Sequence, residues 1–136
     1  VTLSAASIVD LQYFLMDAAR RYAPSETDLL ARAAALDYAL LLSSEHGEQQ
    51  IEDSTPVAGL IRDVMSGAAT TALDLAAEML SAPDETFWDF ADRYGGPGGI
   101  FDVVRDLRAA QAIVDDGIAF RLVTLASEIT ERRRRL

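Results

Sequence analysis

Neither cysteine nor lysine occurs anywhere in the chain. Without cysteine there is no disulfide, no thiolate nucleophile, no zinc–thiolate centre and no iron–sulfur cluster. Without lysine there is no Schiff base, no pyridoxal attachment and no Walker-type phosphate loop. All twelve basic residues are arginine. Lysine is common in ordinary chains, and its loss beside abundant alanine, glycine and aspartate fits GC-rich codon usage. Histidine is nearly missing as well. His46 is the sole imidazole, so any Ser–His–Asp relay would have to use it. It stands in Glu45-His46-Gly47-Glu48, where a cation beside glycine suits a helix C-terminus, and it reads as a capping or solvated residue.

Long apolar runs are absent too. Nothing approaches the roughly 18 residues that span a bilayer, and no basic stretch followed by an apolar core marks a leader. The expectation is a cytoplasmic protein without membrane insertion.

What is present favours helix. Half of the 136 residues are apolar, enough for a packed core. Alanine and leucine dominate, and both lose little entropy in a helix. No period-two pattern of useful length appears. The length matches one domain of about 100–150 residues. The chain therefore reads as a single all-α domain over 1–136, a helical bundle of four to five amphipathic helices.

Helix 1 is expected over Ser4–Tyr22, with Ile8, Leu11, Leu15, Ala18 and Tyr22 on one face. Val9, Phe14 and Met16 widen its apolar area beyond one stripe. Pro24 ends it. Ser25 and Asp28 resemble a capping arrangement for helix 2, which runs to about Ser44 on a stripe of Leu29, Ala33, Leu36 and Leu40. Leu30, Ala34 and Leu41 sit beside that stripe. Residues 45–55 are a polar loop, and Thr55–Pro56 caps and starts helix 3, which extends to about Ser81. Ser66–Gly67 near its middle is a place for a bend or a close neighbour. A short helix runs from Pro83–Asp84 to Tyr94, and Gly95-Gly96-Pro97-Gly98-Gly99 breaks the chain. The last segment starts near Ile100, with Val103, Val104, Leu107, Ala110 and Val114 inward. One long helix and two helices separated at Asp115-Asp116-Gly117 are both open, and the break is favoured.

Candidate chemistry is sparse. Glu45, Glu48 and Glu52 would share a face if helix 2 reached them, and with Asp74 or Glu78 they would make a magnesium-dependent hydrolase of phosphorylated small molecules. Gly47 weakens that helix, and a solvated acidic loop is the simpler reading. The glycine-rich segment before Ile100 lacks the motif lysine, and Asp102 would repel an anion at that helix start. No catalytic residue, metal or cofactor is assigned.

Charge narrows the partners. Residues 1–131 hold all 22 acids against 8 arginines, a balance of −14, and the whole chain carries −10. Such a body repels phosphate backbones, so nucleic acid is disfavoured. Arg132, Arg133, Arg134 and Arg135 form a basic end that suits a helix C-terminus or an acidic partner. A regulator touching nucleic acid through this tail is the remaining alternative. The leading expectation is a non-enzymatic protein-interaction or assembly protein, bound to itself or to another protein. The candidate contact residues are Val9, Phe14 and Met16 on helix 1, Phe87, Trp88 and Phe90 on the short helix, and Arg132 to Arg135.

Overall fold

The structure is a computed structural model, and it describes residues 5–22, 27–46, 56–113 and 116–135. These form six α-helices: α1 Ala5–Tyr22, α2 Thr27–His46, α3 Pro56–Leu80, α4 Asp84–Tyr94, α5 Ile100–Ala109 and α6 Asp116–Arg135. Among the described residues there is no strand, and no helix is long and apolar enough to cross a membrane. The all-α reading holds, with six helices in place of four to five. The proposed caps at Ser25 and Thr55 lie outside the described residues, as does Val114.

The extra helix comes from a break earlier than Asp115-Asp116-Gly117. The α5 helix stops at Ala109, and Gln111 adopts a left-handed conformation with φ 63°. The amide of Ala112 donates to Leu107 O and that of Gln111 to Arg108 O, each at 3.0 Å. This pair of bonds is a Schellman closure, which uses up carbonyls that the helix end leaves open. Leu107 and Ala112 are both buried and complete its apolar contact. From α3, Arg62 Nε donates to Gln111 O at 3.1 Å.

All six helices share one apolar core. The α3 helix is central and packs against α1, α2, α4 and α6. It can do so because Ala58, Ala68, Ala69, Ala72 and Ala76 are fully buried and let neighbours approach closely. Proline at its first position loses no hydrogen bond there. The stripes expected on α1 (Ile8, Leu11, Leu15, Ala18) and α6 (Ile118, Leu122, Leu125, Ile129) are buried at their three- and four-residue spacing.

Two details lock α4 in place. A Cβ on Gly99 would lie 2.0 Å from Tyr94 O, so only glycine lets the chain turn back tightly enough into α5. Arg132 of α6 reaches the junction of α3 and α4. It donates to Leu80 O at 2.5 Å, Ala82 O at 2.7 Å and Asp84 Oδ1 at 2.9 Å, and its guanidinium stacks 4.0 Å from the Phe87 ring.

Candidate functional site

The α1 and α2 helices pack side by side, and Tyr22 and Thr27 are too close in sequence for the chain to travel back a helix length between them, so the two run antiparallel. Gln12 Nε2 marks the seam, donating to Ala33 O and to Asp37 Oδ1, each at 2.8 Å. On α1, the inward positions are Ile8, Leu11, Leu15 and Ala18. Val9, Tyr13 and Met16, spaced four and three apart, therefore lie on the opposite side. On α2, Leu29, Ala33 and Leu36 point inward, and Leu30, Ala34, Tyr38 and Leu41 form a second outward row. The large apolar residues of these two rows are between 40% and 65% exposed. The Gln12 bonds bring Asp37 level with α1 residues near position 10. Reversal then sets Met16 near Leu30, and Val9 near Tyr38 and Leu41. The small Ala34 lies between those ends. The result is an apolar face two helices wide.

Val9 and Met16 were expected on such a surface and lie there. Tyr13, Leu30, Tyr38 and Leu41 were not assigned to it. Phe14, Phe87 and Phe90 must be reassigned: all three are buried. Phe14 meets the Tyr94 ring edge-on at 4.8 Å, and Phe90 packs against Tyr22 at 5.7 Å and Tyr94 at 5.4 Å. The α4 helix is covered on two sides, so its second aromatic row is core. Trp88 is half-buried, with the Arg133 guanidinium 5.1 Å from its ring.

The arginine end divides in the same way. Arg132 is committed to the α3–α4 junction. Arg133 pairs with Asp92 at 3.3 Å and Arg135 with Glu131 at 3.6 Å, while Arg134 borders a shallow depression with Ser127 and Thr130.

The most polar buried point is Asp17, 8% exposed. Tyr94 Oη donates to its Oδ2, Arg20 Nη2 reaches Oδ1 at 2.6 Å and Arg21 Nε reaches Oδ2 at 3.0 Å. The Tyr94 hydrogen bond holds the carboxyl at about 2, against the opposing effect of burial and with help from the two arginines. Burial, then the bond to Asp17, pushes the Tyr94 hydroxyl up. Proton transfer at neutral pH needs groups poised near 7, and this pair is driven away from it on both sides. The cluster is structural. Nothing in the sequence flagged it, because its key partners lie 77 residues apart.

Glu48 and Glu52 lie outside the described residues, and Glu45 belongs to the last turn of α2 with His46. Asp74 is paired with Arg121 at 2.6 Å. Among the described residues no group of three acids or histidines is placed to hold a metal. At the start of α5, Gly98 N donates to Asp102 Oδ2 at 2.7 Å, so the helix start is occupied by its own carboxylate. Comparison with known proteins yields no matching family model, no matching curated protein and no matching solved structure.

Proposed function

We propose that this chain is a non-enzymatic interaction protein that associates through the outer face of α1 and α2, its partner being a second copy of itself. The observation that carries this reading is the pair of exposed apolar rows on adjacent antiparallel helices. Exposed apolar patches beyond a few hundred Å² are rare on monomers.

Self-pairing fits the layout of the face. A two-fold contact presents the same patch on both subunits, so its two ends must be complementary. Rotation about its middle sets Met16 and Leu30 of one copy over Val9 and Leu41 of the other. Aliphatic side chains then meet at both ends, and Ala34 near the centre permits close approach. The seam polar groups of Gln12 and Asp37 already satisfy each other. Two such hairpins stack as a four-helix layer, a packing that buries apolar rows of this width.

Light scattering of the purified chain tests the reading. The parent is expected at twice its 14.7 kDa chain mass. A Met16→Glu, Leu30→Glu chain is expected at the single mass with unchanged helical circular dichroism. A parent that stays monomeric at high concentration would overturn self-association.

A further inference from the structure

We propose that self-association through the α1–α2 face is switched by acid, the dimer taking up one proton that two facing copies of Asp37 share. The inference rests on the self-association reading and names its regulation.

Asp37 interrupts the outward row of α2. Leu30, Ala34, Asp37 and Leu41 follow one another at spacings of four, three and four, so they line one side of the helix. Asp37 is exposed and holds the place where an apolar residue would continue the row. A polar residue inside an apolar seam lowers stability and fixes register. Gln12 ties this carboxylate to the seam between the helices, its Nε2 donating to Asp37 Oδ1 at 2.8 Å. The same amide nitrogen donates to Ala33 O at 2.8 Å, so both of its protons are used. Among the described residues, Asp37 Oδ2 accepts no hydrogen bond.

Two-fold pairing brings this carboxylate to a copy of itself. With Leu30 of one copy over Leu41 of the other, Asp37 lies over the other copy's Ala34. The two Asp37 positions then differ by the step from 34 to 37, about 4.5 Å along the helix direction at 1.5 Å per residue. The small Ala34 does not hold them apart. Carboxylate and amide carbonyl oxygens meet around the axis, and all of them are acceptors. The arginines of the three neighbouring helices point elsewhere. On α1, Arg20 and Arg21 are bonded to Asp17. Arg62 of α3 reaches Gln111 O, and Arg32 of α2 lies against Gly67 of α3. Asp10 of α1 and Asp63 of α3 add only negative charge, and Tyr13 and Tyr38 flank the face as uncharged phenols. Two carboxylates in one site favour protonation of one of them. The acid form supplies the missing donor, and an O–H···O⁻ bond replaces the repulsion. The proton comes from solvent, and the dimer loses one negative charge on taking it up.

Sedimentation equilibrium of the full chain at about pH 7.5 and about pH 5, at fixed ionic strength, tests the switch. The Asp17 carboxyl, held at about 2, stays charged at both values. The dimer dissociation constant is expected to fall by about tenfold at the lower pH, within what uptake of one proton allows. Asp37→Asn keeps the acceptor for Gln12 and adds a donor. At the higher pH it should dimerise about tenfold more tightly than the parent, with little change on acidification. Asp10→Asn removes a charge from the flank of α1 and should keep the parental pH dependence. A parent that is monomeric at both pH values overturns the association and the switch together. A parent dimer of equal affinity at both values, an Asp37→Asn chain with the parental pH dependence, or an Asp10→Asn chain that loses it overturns the switch and leaves association through the face standing.

Discussion

On the inward side of α1 the carboxylate of Asp17 lies buried beneath Tyr94, while on the outward side of the same helix Val9, Tyr13 and Met16 stand in solvent. Residue polarity alone would have arranged these the other way round. Asp17 stays inside because each of its oxygens is bonded, by Tyr94 and two arginines, and a buried charge is tolerated only when paired and hydrogen-bonded. The outward residues have no such compensation. Their area remains in contact with water, at about 25 cal/mol for each Å² that association would remove. Partners decide what a helix can bury. On this helix the inward side has its partners within the fold, and the outward side is completed by the proposed second copy.

The contrast is sharpest at two neighbouring residues. Phe14 faces inward against Phe90 and Tyr94, and Tyr13 faces out. Phe14→Ala is expected to cost about 3–5 kcal/mol through the lost burial and the cavity left behind. Tyr13→Ala should stay within about 0.5 kcal/mol, as exposed substitutions do. Urea unfolding in the Met16→Glu, Leu30→Glu background keeps association out of both measurements. Equal losses at the two positions would erase the distinction between the sides.

Asp17 carries the next largest effect. Asp17→Ala leaves the Tyr94 hydroxyl and the Arg21 guanidinium without their acceptor, and breaking such a buried pair costs about 3 kcal/mol. The same group sets an acid dependence. Its carboxyl titrates lower in the folded chain than in the unfolded one. The unfolded state therefore takes up a proton first as pH falls. The stabilisation is complete above about pH 4, the ordinary aspartate value, and drains away as pH drops toward about 2. Acid unfolding followed by circular dichroism should show this slope in the parent and a shallower one in Asp17→Ala. Parallel curves would mean that the carboxylate gains nothing from its burial.

Much of the inward side was legible from spacing alone. Ile8, Leu11, Leu15 and Ala18 recur at three and four residues, and the structure buries all of them. Asp17 was not legible, since periodicity on one helix sends a polar residue to solvent and Tyr94 belongs to another. The outward side was partly readable: Val9 and Met16 exceed what one stripe can hold. Leu30 and Leu41 looked like flanks of the α2 stripe, and only the seam at Gln12 shows which way they face. Phe90 was misread because its phase on α4 departs from Phe87, and nothing in that segment says that two sides of the helix are covered. The early stop of α5 carried no glycine or proline, only Gln111 in a left-handed turn. Arg132 read as part of a charge run, and became a strut once α3 and α4 met beside it.

The smallest effect separates two tyrosines on the inward side that share the same ring cluster. Tyr22 Oη donates to Asp89 Oδ2 at 2.5 Å, and Tyr94 Oη donates to Asp17. Both hydroxyls are pushed up, first by burial and then by the bond to aspartate. Their acceptors differ. Asp89 is 46% exposed and keeps Arg93 Nε at 3.2 Å, so water and the arginine can replace a lost hydroxyl. Asp17 cannot draw on water in that way. Tyr22→Phe keeps the ring packed on Phe90 and should cost only about 0.5–1 kcal/mol, the usual net value of one hydrogen bond. Tyr94→Phe should cost about 2 kcal/mol, because it leaves a buried charge short of a donor. Each substitution should also flatten the loss of stability above about pH 10, where the unfolded tyrosine ionises and the folded one does not. Urea titrations of the two variants decide the matter. If Tyr22→Phe were the costlier change, exposure of the acceptor would not be what distinguishes the pair.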